Sequence, residues 1–291
     1  MPHEKKPFLA ACVQMRSGLD RATNVSAALE LIAKAAGKGA RLVATPEMTN
    51  IVDRDAERAL RHLPDGEGIE EIEAFAGAAK KHSVWLLIGS MAVKLGERRA
   101  ANRSFLFSPE GAVFARYDKL HMFDVELAHG ESWRESNLYQ PGESAVIAQT
   151  PLADLGLTIC YDLRFPHLYR ALARGGAEVL AVPSAFTKQT GEAHWHVLTR
   201  ARAIETGAFV LAATQGGLHE NGRATYGHSL IVSPWGEILA EAGEEPGVIF
   251  ADIDLAASAE ARARIPALKA GREFEVEIVC ASPQAARREA S

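Results

Sequence analysis

Glu47, Lys119 and Cys160 together supply the side chains that acyl transfer through a thiol requires. Each follows an apolar run with the look of a strand, at 42–44, 113–117 and 157–159. Ligands in open α/β sheets bind beyond the C-terminal ends of strands, so the three are expected at one edge of the molecule. The thiol can attack a carbonyl, the carboxylate can take its proton and return it to a departing amine, and the ammonium can stabilise an oxyanion. Cys160 stands where an apolar strand turns into a helix that Pro166 opens and Ala171, Leu172 and Ala173 continue. Backbone N–H groups point outward at such a bend, and positive potential there is expected to lower the thiol pKa. A lone cysteine is more often a small buried hydrophobe, and Cys12 and Cys280, each within an apolar run, are read that way. Glu47 and Lys119 taken singly are ordinary surface charges. Only the three together argue for chemistry.

The elements that must position these residues follow from the hydrophobic pattern. A continuous apolar run at 8–14 predicts a strand buried on both faces. The helix after it is expected to be capped by Asn24, to bury Val25, Leu29, Ile32 and Ala36, and to stop at Gly37 and Gly39. With a strand at 41–44 this makes a β-α-β unit whose following loop carries Glu47, and a helix over 69–82 leads to another buried strand at 84–89. Hairpins are expected at 102–107 with 113–117, at 144–149 with 154–159, and at 229–232 with 237–242. Between the first two, residues 118–142 form a long polar stretch without a period, a length that in a compact domain is functional or disordered. Helices at 166–175 and from about residue 193 to 206 alternate with strands at 179–183 and 209–213, and a strand at 248–252 and a short helix at 255–264 close the chain. Two β-α-β halves plus hairpins imply two packed sheets between helix layers.

The composition of the 291 residues, 47% hydrophobic and 24% charged, is that of a globular chain with a large core. A net charge of −5 with scattered Lys and Arg gives no basic face for nucleic acid. No run reaches the ~18 apolar residues of a membrane span, and the start of the chain has no hydrophobic leader. Three cysteines without CxxC spacing suit a reducing compartment, so a cytoplasmic protein is expected. Signatures of nucleotide-binding loops, serine hydrolases and zinc proteases are absent. His194 and His196 are two apart on the predicted helix and face different ways, so no metal site and no cofactor are expected.

Seven segments resemble the nitrilase, or carbon–nitrogen hydrolase, superfamily: ATPEM (44–48), YDKLHMFDVE (117–126), GLTICYDLRFP (156–166), PSAFT (183–187), GEAHW (191–195), RARAIE (200–205) and YGHSL (226–230). They occur in the family order over nearly the whole chain. The resemblance implies an α/β four-layer α-β-β-α sandwich; with no linker in the chain a single domain is expected over 1–280, and 281–291 is expected to be a mobile tail, as chain ends are. It carries a Glu-Lys-Cys triad onto Glu47, Lys119 and Cys160, and a second glutamate of the family site onto Glu135 in WRESN (133–137). The backbone N–H of Tyr161 is then expected to share the oxyanion with Lys119. The wording is most similar to the Nit branch, which holds deaminated glutathione amidases and ω-amidases. That implies a small carboxylated amide as substrate, with Arg164 as carboxylate clamp and Phe186, Thr187 and His194 as further substrate contacts. PSAFT and QGGLH (215–219) lean toward the first of these activities. Deaminated glutathione cleaved to 2-oxoglutarate and cysteinylglycine is the expectation, with 2-oxoglutaramate the alternative and a non-catalytic binding protein on the same fold the remote one. The segment IPALKAGR (265–272) follows the branch only loosely, and a homodimer or higher homo-oligomer is expected.

Overall fold

The computed structural model describes residues 5–279 apart from 65, 67, 68, 129 and 130; Cys280 and the tail at 281–291 lie outside the described residues. The first strand, β1 (Phe8–Gln14), is buried along almost its whole length. It pairs in parallel with β2 (Leu42–Ala44), which pairs in parallel with β3 (Trp85–Lys94). The predicted hairpin, β4 (Ala100–Phe107) with β5 (Val113–Asp118), extends this sheet antiparallel to β3. Its other edge is β16 (Gly247–Ile253), which returns from the far end of the chain to lie antiparallel to β1.

The second sheet repeats the plan. Strand β9 (Asp154–Leu157) forms a hairpin with β8 (Val146–Gln149) and runs parallel to β10 (Val179–Ala181), which runs parallel to β11 (Phe209–Ala212). A further hairpin, β14 (Leu230–Val232) with β15 (Ile238–Glu241), completes six strands.

Period-2 alternation divides the core. From β1, Phe8, Ala10 and Cys12 enter the layer between the sheets, in one cluster with Leu157, Ala181 and Leu211, which share a face of the second sheet. Ala11 and Val13 point the other way, joining Ala28 and Ile32 of α1 (Arg21–Gly37) and Phe75 of α3 (Ile69–His82). The second sheet is covered by α4 (Pro166–Arg174) and α5 (Lys188–Thr206), whose Leu168, Tyr169, Leu172 and Trp195 join the same core. The order helix, sheet, sheet, helix is the expected four-layer sandwich.

Local details depart from the sequence reading. Asp20 rather than Asn24 caps α1, its carboxylate accepting from Thr23 N at 2.8 Å. Asn24 is buried one turn in, where its amide bonds Gly18 and donates to Asn50 O at 2.9 Å. Asp, with the same capping chemistry, stood earlier in the chain. Likewise α5 is capped by Thr187, whose hydroxyl accepts from Thr190 N, and begins about one turn before the expected start. Gly191 is needed by packing: a Cβ there would stand 2.2 Å from Tyr226 Cβ. The sequence reading also missed α2 (Ala56–His62) and two small ladders, β6 (Asp124–Glu126) with β7 (Ser132–Arg134) and β12 (Gly216–Leu218) with β13 (Ala224–Tyr226).

Candidate active site

Glu47 is the third residue after β2 and is buried, only 4% exposed. Its loop is clamped from both sides. Ser90 exchanges backbone bonds with Pro46 and Thr49, at 3.2 and 2.8 Å, and Gln215 Nε2 donates to the carbonyls of Glu47 and Met48 at 3.1 and 3.2 Å. Met48 sits at φ +55°, a left-handed conformation that turns the chain sharply behind the carboxylate.

Lys119 immediately follows β5 and is 2% exposed. Its Nζ donates to Glu47 Oε1 at 2.9 Å and to Glu135 Oε1 and Oε2 at 3.0 and 2.8 Å. Glu135 opens a 3₁₀ turn (Glu135–Asn137) inside the long polar stretch, and Phe123 N–H donates to its Oε2 at 2.7 Å. Asn102, inward-facing on β4, donates from Nδ2 to both glutamates at 2.9 and 3.1 Å. A buried ammonium thus lies between two carboxylates that also share an amide donor, the arrangement that makes buried charge tolerable.

Cys160 opens a 3₁₀ turn (Cys160–Arg164) three residues beyond β9 and takes φ +48°. Strain of this kind in a non-glycine residue persists only where neighbours over-determine it. Here Cys160 N donates to Pro183 O at 2.9 Å. Asp162, fully buried, receives Ile159 N–H at 2.9 Å, Tyr117 O–H at 2.6 Å and His121 N–H at 3.1 Å. Tyr161 is the second residue of the turn, whose N–H has no partner within it.

The two sheets meet at Gly89. A Cβ there would lie 2.1 Å from Thr45 O, on the Glu47 side, and 2.4 Å from Pro183 Cβ, on the Cys160 side. Only glycine allows this approach.

The electrostatics correct one expectation. Burial, with the Glu47 charge adding to it, pushes the Cys160 thiol far up, and the nearby Lys119 only partly opposes this. The resting group is a thiol, not the thiolate expected from a strand-to-helix bend, because desolvation outweighs the local positive potential. Burial alone would also raise Glu47, but the charge and hydrogen bond of Lys119 outweigh it and the carboxyl lies below its ordinary value. Burial would lower Lys119, but the two glutamates reverse that and hold it well above its ordinary value. A neutral thiol thus lies beside an ionised carboxylate, close enough for each to shift the other's titration, so proton transfer can accompany attack. Cys12, buried between the sheets with its thiol raised to about 12, is the inert cysteine the sequence suggested.

A cavity of about 310 Å³ opens over these groups, lined by Glu47, Lys119, Glu135, Cys160 and Tyr161 and, among the expected substrate contacts, by Arg164, Phe186 and Thr187. The Arg164 guanidinium lies 5.4 Å from the Phe186 ring. His194 is not part of the lining: it is exposed on α5 and meets Arg164 through Nδ1 at 3.3 Å. Asn102 and Arg223 were not singled out from the sequence, and nothing local marks either one. The second helix histidine, His196, does find partners, though not His194. His196 and His228 each hydrogen-bond Glu241 Oε1, at 3.0 and 2.9 Å, the one set of metal-competent side chains brought together among the described residues, and it lies outside the cavity lining.

The comparisons with known proteins agree with this geometry. Residues 9–263 match the family model described as carbon-nitrogen hydrolase. The chain is 40% identical over 268 residues to a Synechocystis protein named deaminated glutathione amidase, covering 91% of this chain and 98% of that one. It is 40% identical over 265 residues to a Homo sapiens protein of the same name, covering 89% and 80%. The crystal structure of the C. elegans NitFhit protein superposes with a TM-score of 0.85 at 34% identity, over 92% of this chain and 66% of that longer one. A sandwich with two acids, a lysine and a cysteine converging on one cavity, a family match over most of the length, and relatives this similar lead to one conclusion: the chain belongs to the carbon–nitrogen hydrolase family and is an amidase of the Nit type.

Proposed function

We propose that the chain hydrolyses deaminated glutathione to 2-oxoglutarate and cysteinylglycine through a Cys160 thioester. The observation that carries the reading is the convergence of Lys119, Glu47 and Glu135 beside Cys160 under a cavity that also presents Arg164; the names of the relatives supply the substrate. Glu47 takes the thiol proton as sulfur attacks the amide carbonyl. Lys119 Nζ and the N–H of Tyr161 hold the oxyanion, and Glu135 and Asn102 hold Lys119 and Glu47 in place. Collapse expels the amine, which leaves with the proton from Glu47. Water then gives Glu47 a proton as its oxygen attacks the thioester, and the proton returns to sulfur as the acid departs. Arg164 grips the carboxylate beside the keto group of the acyl half, a planar anion suited to a guanidinium.

Measuring kcat/KM for deaminated glutathione and 2-oxoglutaramate side by side tests the substrate. Deaminated glutathione is expected to be preferred; the reverse order makes the protein an ω-amidase, and turnover of neither removes the reading.

We further propose a homodimer in a reducing cytoplasm. Val197 and Ile204 stand exposed seven residues apart on α5, and Ile204 Cδ1 lies against Gly236, next to exposed Trp235. A second copy seated on this face would cover them. Sedimentation of Val197→Glu, Ile204→Glu is expected to shift the protein toward monomer, and an unchanged mass moves the interface elsewhere. No helix among the described residues is long and apolar enough to cross a membrane.

A further inference from the structure

Arg223 has no part in the chemistry above, yet it lines the same cavity. It stands just before β13, donates from Nη2 to Ala185 O, and its guanidinium carbon lies 4.6 Å from the centre of the Trp133 ring. Arg54 approaches the same ring at 4.8 Å. The Nε–H of Arg223 is buried with no hydrogen-bond partner among the described residues. The acids around it are engaged elsewhere: Asp53 takes the fork of Arg58 at 2.7 and 2.8 Å, Glu131 accepts from Trp133 Nε1 at 2.8 Å, and Glu47, whose ionised form the Arg223 charge also favours, accepts from Lys119 and Asn102 at 2.9 Å each. Among the described residues neither Arg223 nor Arg54 pairs with a carboxylate. A buried donor left unmade is costly, and a guanidinium fixed over an aromatic ring keeps its edge free for a planar anion.

We propose that Arg223, braced by Trp133 and supported by Arg54, is a carboxylate subsite for the leaving half of the substrate, selecting amides whose departing amine ends in a carboxylate. The proposal rests on the amidase reading above, in which Arg164 already serves the acyl half; a substrate with an anion at each end then meets a guanidinium at each end. The terminal glycine of deaminated glutathione supplies such a carboxylate, and 2-oxoglutaramate, which releases ammonia, has none.

The test is a series sharing the 2-oxoglutaryl acyl group with three leaving groups: cysteinylglycine, the same dipeptide with its terminal carboxylate converted to a carboxamide, and ammonia. Wild-type enzyme is expected to favour the carboxylate over the carboxamide by roughly 10- to 100-fold in kcat/KM, mainly through KM, as charge-assisted hydrogen bonds do. Arg223→Gln is expected to erase this ratio and Arg223→Lys to keep part of it, since charge survives and the fork does not. A wild-type enzyme indifferent to the carboxamide, or an Arg223→Gln variant that loses equally on both dipeptide substrates, overturns the subsite and leaves the amidase reading standing. If wild type turns over none of the three, both fall together.

Discussion

Replacing Lys119 by Met tests the arrangement of charges at its centre. The ammonium is 2% exposed and makes three bonds of 2.8 to 3.0 Å to Glu47 and Glu135. Methionine fills the same volume but leaves two buried carboxylates facing one another across Asn102. Removing one member of such a group is expected to cost about 3–5 kcal/mol, on the order of 10 °C in melting temperature for a chain of this size. The sign of the pH dependence is more diagnostic than the size. In the wild type, burial would raise Glu47 but Lys119 holds it below its ordinary value. Its stabilising contribution is therefore in place above the unfolded value and is lost only as pH falls through the lower folded one. Without the ammonium, desolvation and the second carboxylate dominate, and a folded pKa rises above the unfolded one. The variant is then most stable below the unfolded value and loses stability as pH rises, at about 1.4 kcal/mol per unit of upward shift. Urea unfolding followed by circular dichroism near about pH 5 and about pH 8 reads this directly. Lys119→Met is expected to be further below wild type at the higher pH, and the double variant Lys119→Met, Glu135→Gln to regain part of the stability but none of the activity. A variant within about 1 kcal/mol of wild type at both pH values refutes the reasoning.

Three shorter predictions concern the thiol and its support. Cys160→Ala is expected to lose at least about a thousandfold in kcat while melting normally, since loss of a nucleophile costs several orders of magnitude; activity above about a hundredth of wild type rules it out as nucleophile. Because the thiol is pushed up by burial, its alkylation rate with iodoacetamide is expected to keep rising to about pH 9, and a plateau near neutrality means a resting thiolate instead. Gly89→Ala places a Cβ 2.1 Å from Thr45 O, so a loss of about 1–3 kcal/mol or more is expected with a fall in kcat, and a normal melt with normal turnover shows that the loops need not approach so closely.

Much of this protein was legible along the chain because its signals are local. Apolar runs and turn residues marked seventeen of the strands and helices near their observed places, and the identity of the side chain just past a strand end is a short-range fact, so Glu47, Lys119 and Cys160 could be named without coordinates. Family wording added Glu135, which stands in a stretch with no period to read. Other features depend on neighbours remote in sequence. Asn102 reads as one polar residue in a strand until its side chain is found between glutamates 55 and 33 positions away. Arg223 gains its meaning only when the fold sets it against Trp133 and Ala185. His194 shares its helix with residues of the site but looks outward, since 3.6 residues per turn and the start of α5 at Thr187 set its direction. The state of the thiol shows the limit most clearly. A strand-to-helix bend predicts a lowered pKa, and burial reverses it, because desolvation depends on everything packed around a group and two sheets from distant parts of the chain do that packing here.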